Sequence, residues 1–261
     1  MAEWTIERAA DELLNRESRT RDGGRITDLW PELDLDTAYL VQDTLLGRKT
    51  GAGERVVGAK LGLTSHAKQQ RMGIDSPLTG WLTDAMRLPA GEPVALDRMI
   101  HPRVEPEIVF TMGERLSGPD VTPERALGAV ASVHAGFEVI DSRYRDFSFA
   151  LPDVVADNAS SCRFVVSPVS LPADALDLAA ETCRLSVDGE TVATATGAAV
   201  QGHPAAALAL AANSLARRGL AIEAGWTVLT GGLTDAVFLG PGVTVTAEFG
   251  ALGTLALTGA V

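Results

Sequence analysis

Cysteine is nearly absent: Cys162 and Cys183 are the only two in 261 residues, and they form no C-x-x-C spacing. Neither a zinc knuckle nor a thioredoxin-type motif is therefore available, and both thiols read as small reduced hydrophobes. Positive charge is scarce as well, with 22 Lys and Arg against 34 Asp and Glu and a formal net charge of −12. A nucleic-acid partner is excluded, because phosphate binding needs clustered cations. An anionic small molecule is still allowed, since one metal ion and one or two cations reverse the field locally. No run is long and apolar enough to span a bilayer. The opening residues Met1–Glu7 carry acids where a signal peptide carries bases, and no apolar stretch follows. The expectation is a soluble, cytoplasmic chain without a membrane partner.

Familiar nucleotide and hydrolase motifs are missing too. Gly53–Lys60 approaches a phosphate loop, but Ala59 stands where glycine belongs and Leu61 where Ser or Thr belongs. Gly51-Ala52-Gly53 begins a dinucleotide fingerprint that lacks its third glycine. No G-x-S-x-G elbow exists.

What is present is ample core material, 46% hydrophobic. Ile6, Ala9, Ala10, Leu13 and Leu14 recur at helical spacing over residues 4–15. Asp36 is placed to cap a second helix bearing Ala38, Val41 and Leu45. Residues 50–63 read as a strand entering a tight, glycine-rich loop. Thr122-Pro123 opens a helix, and Pro204 opens another that runs to Arg218 before Gly219. Arg184–Val187 and Glu190–Thr194 flank Asp188-Gly189, a hairpin signal. Further strands are expected at 162–167, 226–230, 243–249 and 253–258. Few strands alternate with helices, which argues against a doubly wound sheet. The expected fold is α+β: a helical N-terminal segment on a mixed, mostly antiparallel β-domain.

The chemistry concentrates in Val104-Glu105-Pro106-Glu107-Ile108-Val109-Phe110 and Phe137-Glu138-Val139-Ile140-Asp141. Glu105 and Glu107 on an extended segment share a face. They read either as solvent-facing alternation or as half of a site, and Pro106 between them suits an edge or a bulge. Glu138 has apolar neighbours and needs a partner. A hard divalent cation is the simplest partner for three converging carboxylates. A competing pattern is His134 with Glu138, four apart, which would form a metal pair on a helix. His66, His101 and His203 read as capping or surface residues. Lys60, in its apolar loop, reads either as a snorkelling lysine or as a cation beside an anionic ligand. Phe147 and Phe149 read as ordinary core aromatics, with the wall of a dry pocket as the alternative.

Taken in order, Gly58-Ala59-Lys60-Leu61-Gly62-Leu63-Thr64-Ser65, Met72-Gly73-Ile74-Asp75-Ser76-Pro77, His101–Glu107, Glu138–Tyr144, Ala156–Ser161, Gly197–Pro204 and Thr230–Thr234 resemble the fumarylacetoacetate hydrolase superfamily. The likeness is to its hydratase and decarboxylase branch, which serves aromatic meta-cleavage pathways. Gln201 departs from the pattern, where leucine is expected. The resemblance implies a mixed β-sheet roll or barrel, with residues 1–70 as a helical segment and 71–261 as the catalytic domain. It implies Mg²⁺ or Mn²⁺ on Glu105, Glu107 and Glu138. Lys60 and Asp75 are implied as catalytic, and Ser160, Thr230 and Arg143 as substrate-binding. The implied substrate is a small 2-oxo acid, to be decarboxylated or, alternatively, hydrated. Homo-oligomers and a complex with a dienoate hydratase are implied partners.

Overall fold

The computed structural model describes residues 3–65, 69–70 and 72–261; His66 lies outside them. Two helices open the chain, α1 (Ile6–Ser18) and α2 (Leu35–Gly51). Thr5 caps α1 by accepting from the Arg8 N–H at 3.2 Å. The cap of α2 is Asp34, which accepts from the Thr37 N–H at 2.8 Å, so Asp36 falls in the first turn instead. Ala9, Ala10 and Leu13 of α1 and Ala38, Val41 and Leu45 of α2 are buried together with Tyr144 and Val155. Full burial of a side chain like Leu13 is worth roughly 1.5–3 kcal/mol. Gln42 is buried on the same face as these apolar residues. Its Nε2 donates to the carbonyls of Thr79 and Val155, both at 3.0 Å, and so joins α2 to the sheet domain.

A larger sheet runs in the order β2 (Leu78–Thr83), β1 (Val56–Gly62), β8 (Thr227–Gly232), β3 (Arg103–Met112), β4 (Val130–Ile140), β5 (Ser161–Val166), with β9 (Val237–Phe238) also on β3. Among the described residues only the β1–β8 pairing in it is parallel. A second, antiparallel sheet is β11 (Thr254–Thr258), β10 (Thr244–Phe249), β6 (Thr182–Val187), β7 (Glu190–Thr196). Its β6–β7 hairpin turns at Asp188-Gly189, both with positive φ (49° and 83°), as a primed turn requires. The short helices are α3 (Pro123–Gly128), α4 (Leu151–Ala156) and, longer, α5 (Pro204–Arg217). Thr122 caps α3, and His203 caps α5 through Nδ1, 3.0 Å from the Ala205 N–H. The main core lies between the sheets and α5, around Ile108, Phe110, Phe137, Leu185 and Leu208.

The helical segment ends at Gly51, and β1 is already hydrogen-bonded into the large sheet. The strand over 130–140 removes the helical pairing of His134 with Glu138. Four residues along a strand put the two side chains about 13 Å apart. His134 instead binds the carbonyls of Ser167 and Val169 and the hydroxyls of Ser132 and Thr111. Pro106 falls between the β9 pairing of β3, which ends at Val104, and its β8 pairing, which begins at Glu107, so no ladder donor is required of it on that side.

Candidate metal centre

The register of β3 on β4 sets Glu105 directly opposite Glu138 and Glu107 opposite Gly136. One oxygen from each of the three glutamates lies within 4.8 Å of the others. Glu107 and Glu138 are fully buried and Glu105 is half-buried, so solvent-facing alternation does not describe this pair. Lys60 enters from β1, 3% exposed, with Nζ 3.0 Å from Glu138 Oε2. It points inward rather than snorkelling outward.

Glycines make this arrangement fit. A Cβ on Gly80 would stand 3.2 Å from Lys60 Cγ, and one on Gly232 would stand 2.9 Å from Glu105 Cδ. Gly231, at φ +117°, donates its N–H to Glu107 Oε2 at 2.7 Å, and a Cβ there would meet Thr64 Oγ1 at 2.1 Å. Thr230, the residue before it, is fully buried and donates its hydroxyl to the Ile108 carbonyl at 2.7 Å.

Electrostatics follow from burial. Desolvation holds the Glu107 carboxyl well above the usual range, with Glu138 and Glu105 adding repulsion. Burial alone would weaken the hold of Lys60 on its proton. The three carboxylates, Glu138 foremost, outweigh that and raise the ammonium's affinity for it. Glu107 Oε1 and both oxygens of Glu138 are buried and accept no hydrogen bond of good geometry, the Lys60–Glu138 contact being an ion pair. Orphaned carboxylate oxygens facing one another are costly, and an all-oxygen set of this kind suits a hard divalent cation. Three carboxylates and one ammonium sum to −2, which such an ion neutralises.

Next to Lys60 runs the segment Asn158-Ala159-Ser160, three successive residues with positive φ (49°, 51° and 58°). Each costs roughly 1–2 kcal/mol in that conformation, so the surroundings must impose it. Asn158 does so by bonding the backbone N–H and carbonyl of Trp81 at 2.7 and 2.9 Å. Arg143 does so from the other side. It is buried, with Nε on Asp157 Oδ1, Nη2 on the Asp157 carbonyl, and Nη1 on the carbonyls of Asp141 (2.6 Å) and Ser161 (3.3 Å). Asp157 keeps the guanidinium firmly protonated despite burial. Ser160 Oγ lies 3.4 Å from Asp157 Oδ2.

The structure therefore brings together Lys60, Glu105, Glu107 and Glu138, with Ser160 and Thr230 on bordering backbone. Arg143 is committed to protein acceptors. Asp75 is exposed and lines a cleft with Tyr39 of α2 and Arg217 and Arg218 near the end of α5. Phe149 belongs to the helical core, and Phe147 stacks on His101 at 4.7 Å. The Arg143–Asp157 brace and the Asn158 clamp were not foreseen. The Asp157-Asn158 dipeptide was the available signal, since Asn tolerates left-handed backbone.

Residues 55–258 match the family model described as fumarylacetoacetate (FAA) hydrolase C-terminal. The chain is 41% identical over 240 residues to a 4-oxalocrotonate decarboxylase of Pseudomonas sp. (strain CF600), covering 92% of this chain and 91% of that one. It is 39% identical over 214 residues to a 2-hydroxyhexa-2,4-dienoate hydratase of Comamonas testosteroni, covering 81% of each. It superposes with a TM-score of 0.95 on 4-oxalocrotonate decarboxylase from Pseudomonas putida G7 complexed with magnesium and adipate, at 37% identity over 99% of both chains. By its glutamate and lysine site, its two-sheet fold and these likenesses, the chain belongs to the fumarylacetoacetate hydrolase family.

Proposed function

We propose that this protein decarboxylates 2-oxo-3-hexenedioate (4-oxalocrotonate) to 2-hydroxypenta-2,4-dienoate and CO₂ in aromatic meta-cleavage degradation. The observation that carries the reading is the buried Glu105–Glu107–Glu138 cluster with Lys60 Nζ 3.0 Å from Glu138. The relatives named above for this activity, at 41% and 37% identity, support it. The three glutamates are the ligands for Mg²⁺ or Mn²⁺, which, when bound, supplies Lewis-acid charge for the oxygens of a 2-oxo acid.

In the reaction the C5–C6 bond breaks and C6 leaves as CO₂. The electron pair passes through the C3=C4 bond to the 2-keto oxygen, and one proton completes the dienol. Lys60 supplies that last proton. Its Nζ carries a proton that the surrounding carboxylates hold on, in a dry site where developing negative charge draws it strongly. Ser160 borders the substrate on its strained turn. Thr230 and Arg143 act through the backbone they fix. Asp75 keeps its expected catalytic role only if Asp75→Asn lowers kcat.

Incubation with 2-oxo-3-hexenedioate and Mg²⁺, following CO₂, tests the proposal. Glu107→Gln should fold and lose metal-dependent turnover, whereas full activity in EDTA would overturn the metal role. The second reading is hydration of 2-hydroxypenta-2,4-dienoate on the same platform, favoured by the 39% identity to a hydratase. Loss of dienol absorbance without CO₂ release would establish it. We also propose a cytoplasmic homo-oligomer that works beside a dienoate hydratase. Among the described residues, no helix is long and apolar enough to cross a membrane.

A further inference from the structure

Two buried side-chain amide groups, on backbone that borders the segment leaving β1, have no hydrogen-bond partner among the described residues. Gln69 is 4% exposed and its Nε2 has no hydrogen-bond partner among the described residues. Gln201 Nε2 is likewise buried and unpartnered, on a residue held at φ +52°. Buried donors are nearly always satisfied in folded proteins, so two orphans in one neighbourhood call for an acceptor.

Both hang from the same short stretch of backbone. The Gln201 N–H bonds the Thr64 carbonyl at 3.0 Å, and the Gln69 N–H bonds the Ser65 carbonyl at 3.0 Å. Thr64 packs on Gly231, whose N–H holds Glu107. Two residues before Thr64, a Cβ on Gly62 would lie 3.7 Å from Lys60 Nζ. The two glutamines thus hang from the backbone that leads out of β1 beside the metal centre.

We propose that Gln69 and Gln201 bind the second carboxylate of a 2-oxo dicarboxylate, the group that departs as CO₂. This rests on the decarboxylase reading above. The buried cations nearby are otherwise engaged: Lys60 faces the three glutamates and Arg143 is saturated by protein acceptors. Neutral amides also suit the chemistry. A cation on the leaving carboxylate would stabilise its charge and oppose the loss of neutral CO₂. An amide fixes its oxygens in place while opposing that loss far less.

The test uses Mg²⁺-loaded protein and two saturated six-carbon ligands, 2-oxoadipate and 2-oxohexanoate, which differ only in the second carboxylate. By calorimetry, wild-type protein should bind the diacid more tightly. Gln201→Met and Gln69→Met, near-isosteric and checked by thermal melting, should each weaken 2-oxoadipate roughly tenfold to a hundredfold and leave 2-oxohexanoate within about twofold. With 2-oxo-3-hexenedioate, KM should rise more than kcat falls. Equal weakening of both ligands, or of neither, overturns the amide role and leaves the decarboxylase reading standing. Wild-type protein that binds neither 2-oxo acid in a Mg²⁺-dependent way would instead sink that reading and this inference with it.

Discussion

Replacing Lys60 with methionine isolates the charge on which the centre depends. Methionine nearly matches the length of the lysine stem, so packing over Gly80 is largely kept and the ammonium is lost. Three carboxylates with ligand oxygens within 4.8 Å then face one another without a cation. Removing one partner of a buried ion pair costs about 3–5 kcal/mol. For a chain of this size that corresponds to a fall in Tm of roughly 5–9 °C in EDTA at pH 8. Saturating Mg²⁺ should recover most of the loss, because a dication replaces the missing charge. The Mg²⁺-induced rise in Tm should therefore be larger in Lys60→Met than in wild type. The deficit should also shrink on acidification. Burial and mutual repulsion already raise Glu107, and without Lys60 the folded cluster holds protons that the unfolded chain has released. The folded state then binds more protons than the unfolded one, so the variant's stability falls as pH rises from about 5 to 8. Thermal melts with and without Mg²⁺ across that range read all three effects. A variant that melts with wild type in EDTA at pH 8 would refute the charge-balance argument. A kcat unchanged from wild type would remove Lys60 from the chemistry.

Gly231→Ala should lower stability by more than about 2 kcal/mol and weaken Mg²⁺ binding, since φ +117° and Thr64 at 2.1 Å leave no room for a methyl group and the N–H to Glu107 is displaced. Urea midpoints and metal titration check this, and wild-type values in both would contradict it. Arg143→Met should cost about 3–5 kcal/mol by chemical denaturation, with part recovered in the double variant carrying Asp157→Asn; a cost below about 1 kcal/mol would show that the brace is dispensable. Burial pushes the Cys162 and Cys183 thiols up from 9.0 to about 11 and about 12. Both should resist a thiol reagent at pH 8 until the chain unfolds. Because the unfolded thiols ionise near 9, stability should fall from pH 9 towards 12 as the unfolded state releases protons that the folded state keeps. Rapid labelling of the native protein would contradict this.

The helices and most strands were legible because their signals are local. Thr122 caps where a cap was readable, and Asp188-Gly189 turns the hairpin its dipeptide demands. The cap of α2 was misread by two residues because Asp34 and Asp36 both satisfy the local rule. The His134–Glu138 helix failed because a run such as Val130–Ile140 has no strict period, and sheet pairing on both sides decided its state. The surroundings of Arg143 and Asp75 were not legible. Whether a charged side chain meets solvent, a ligand or buried carbonyls depends on segments distant in the chain.

By itself the sequence singled out the residues to which the proposed chemistry is assigned. Glu105, Glu107, Glu138 and Lys60 are carboxylates and an amine set in apolar runs, and that incongruity is local information. Only the tertiary structure decided that they meet. The antiparallel register of β3 on β4 sets Glu105 opposite Glu138, and the parallel pairing of β1 with β8 carries Lys60 and Gly231 to the same place. Register is a property of the assembled sheet, since a one-residue slip would turn every one of these side chains to the opposite face.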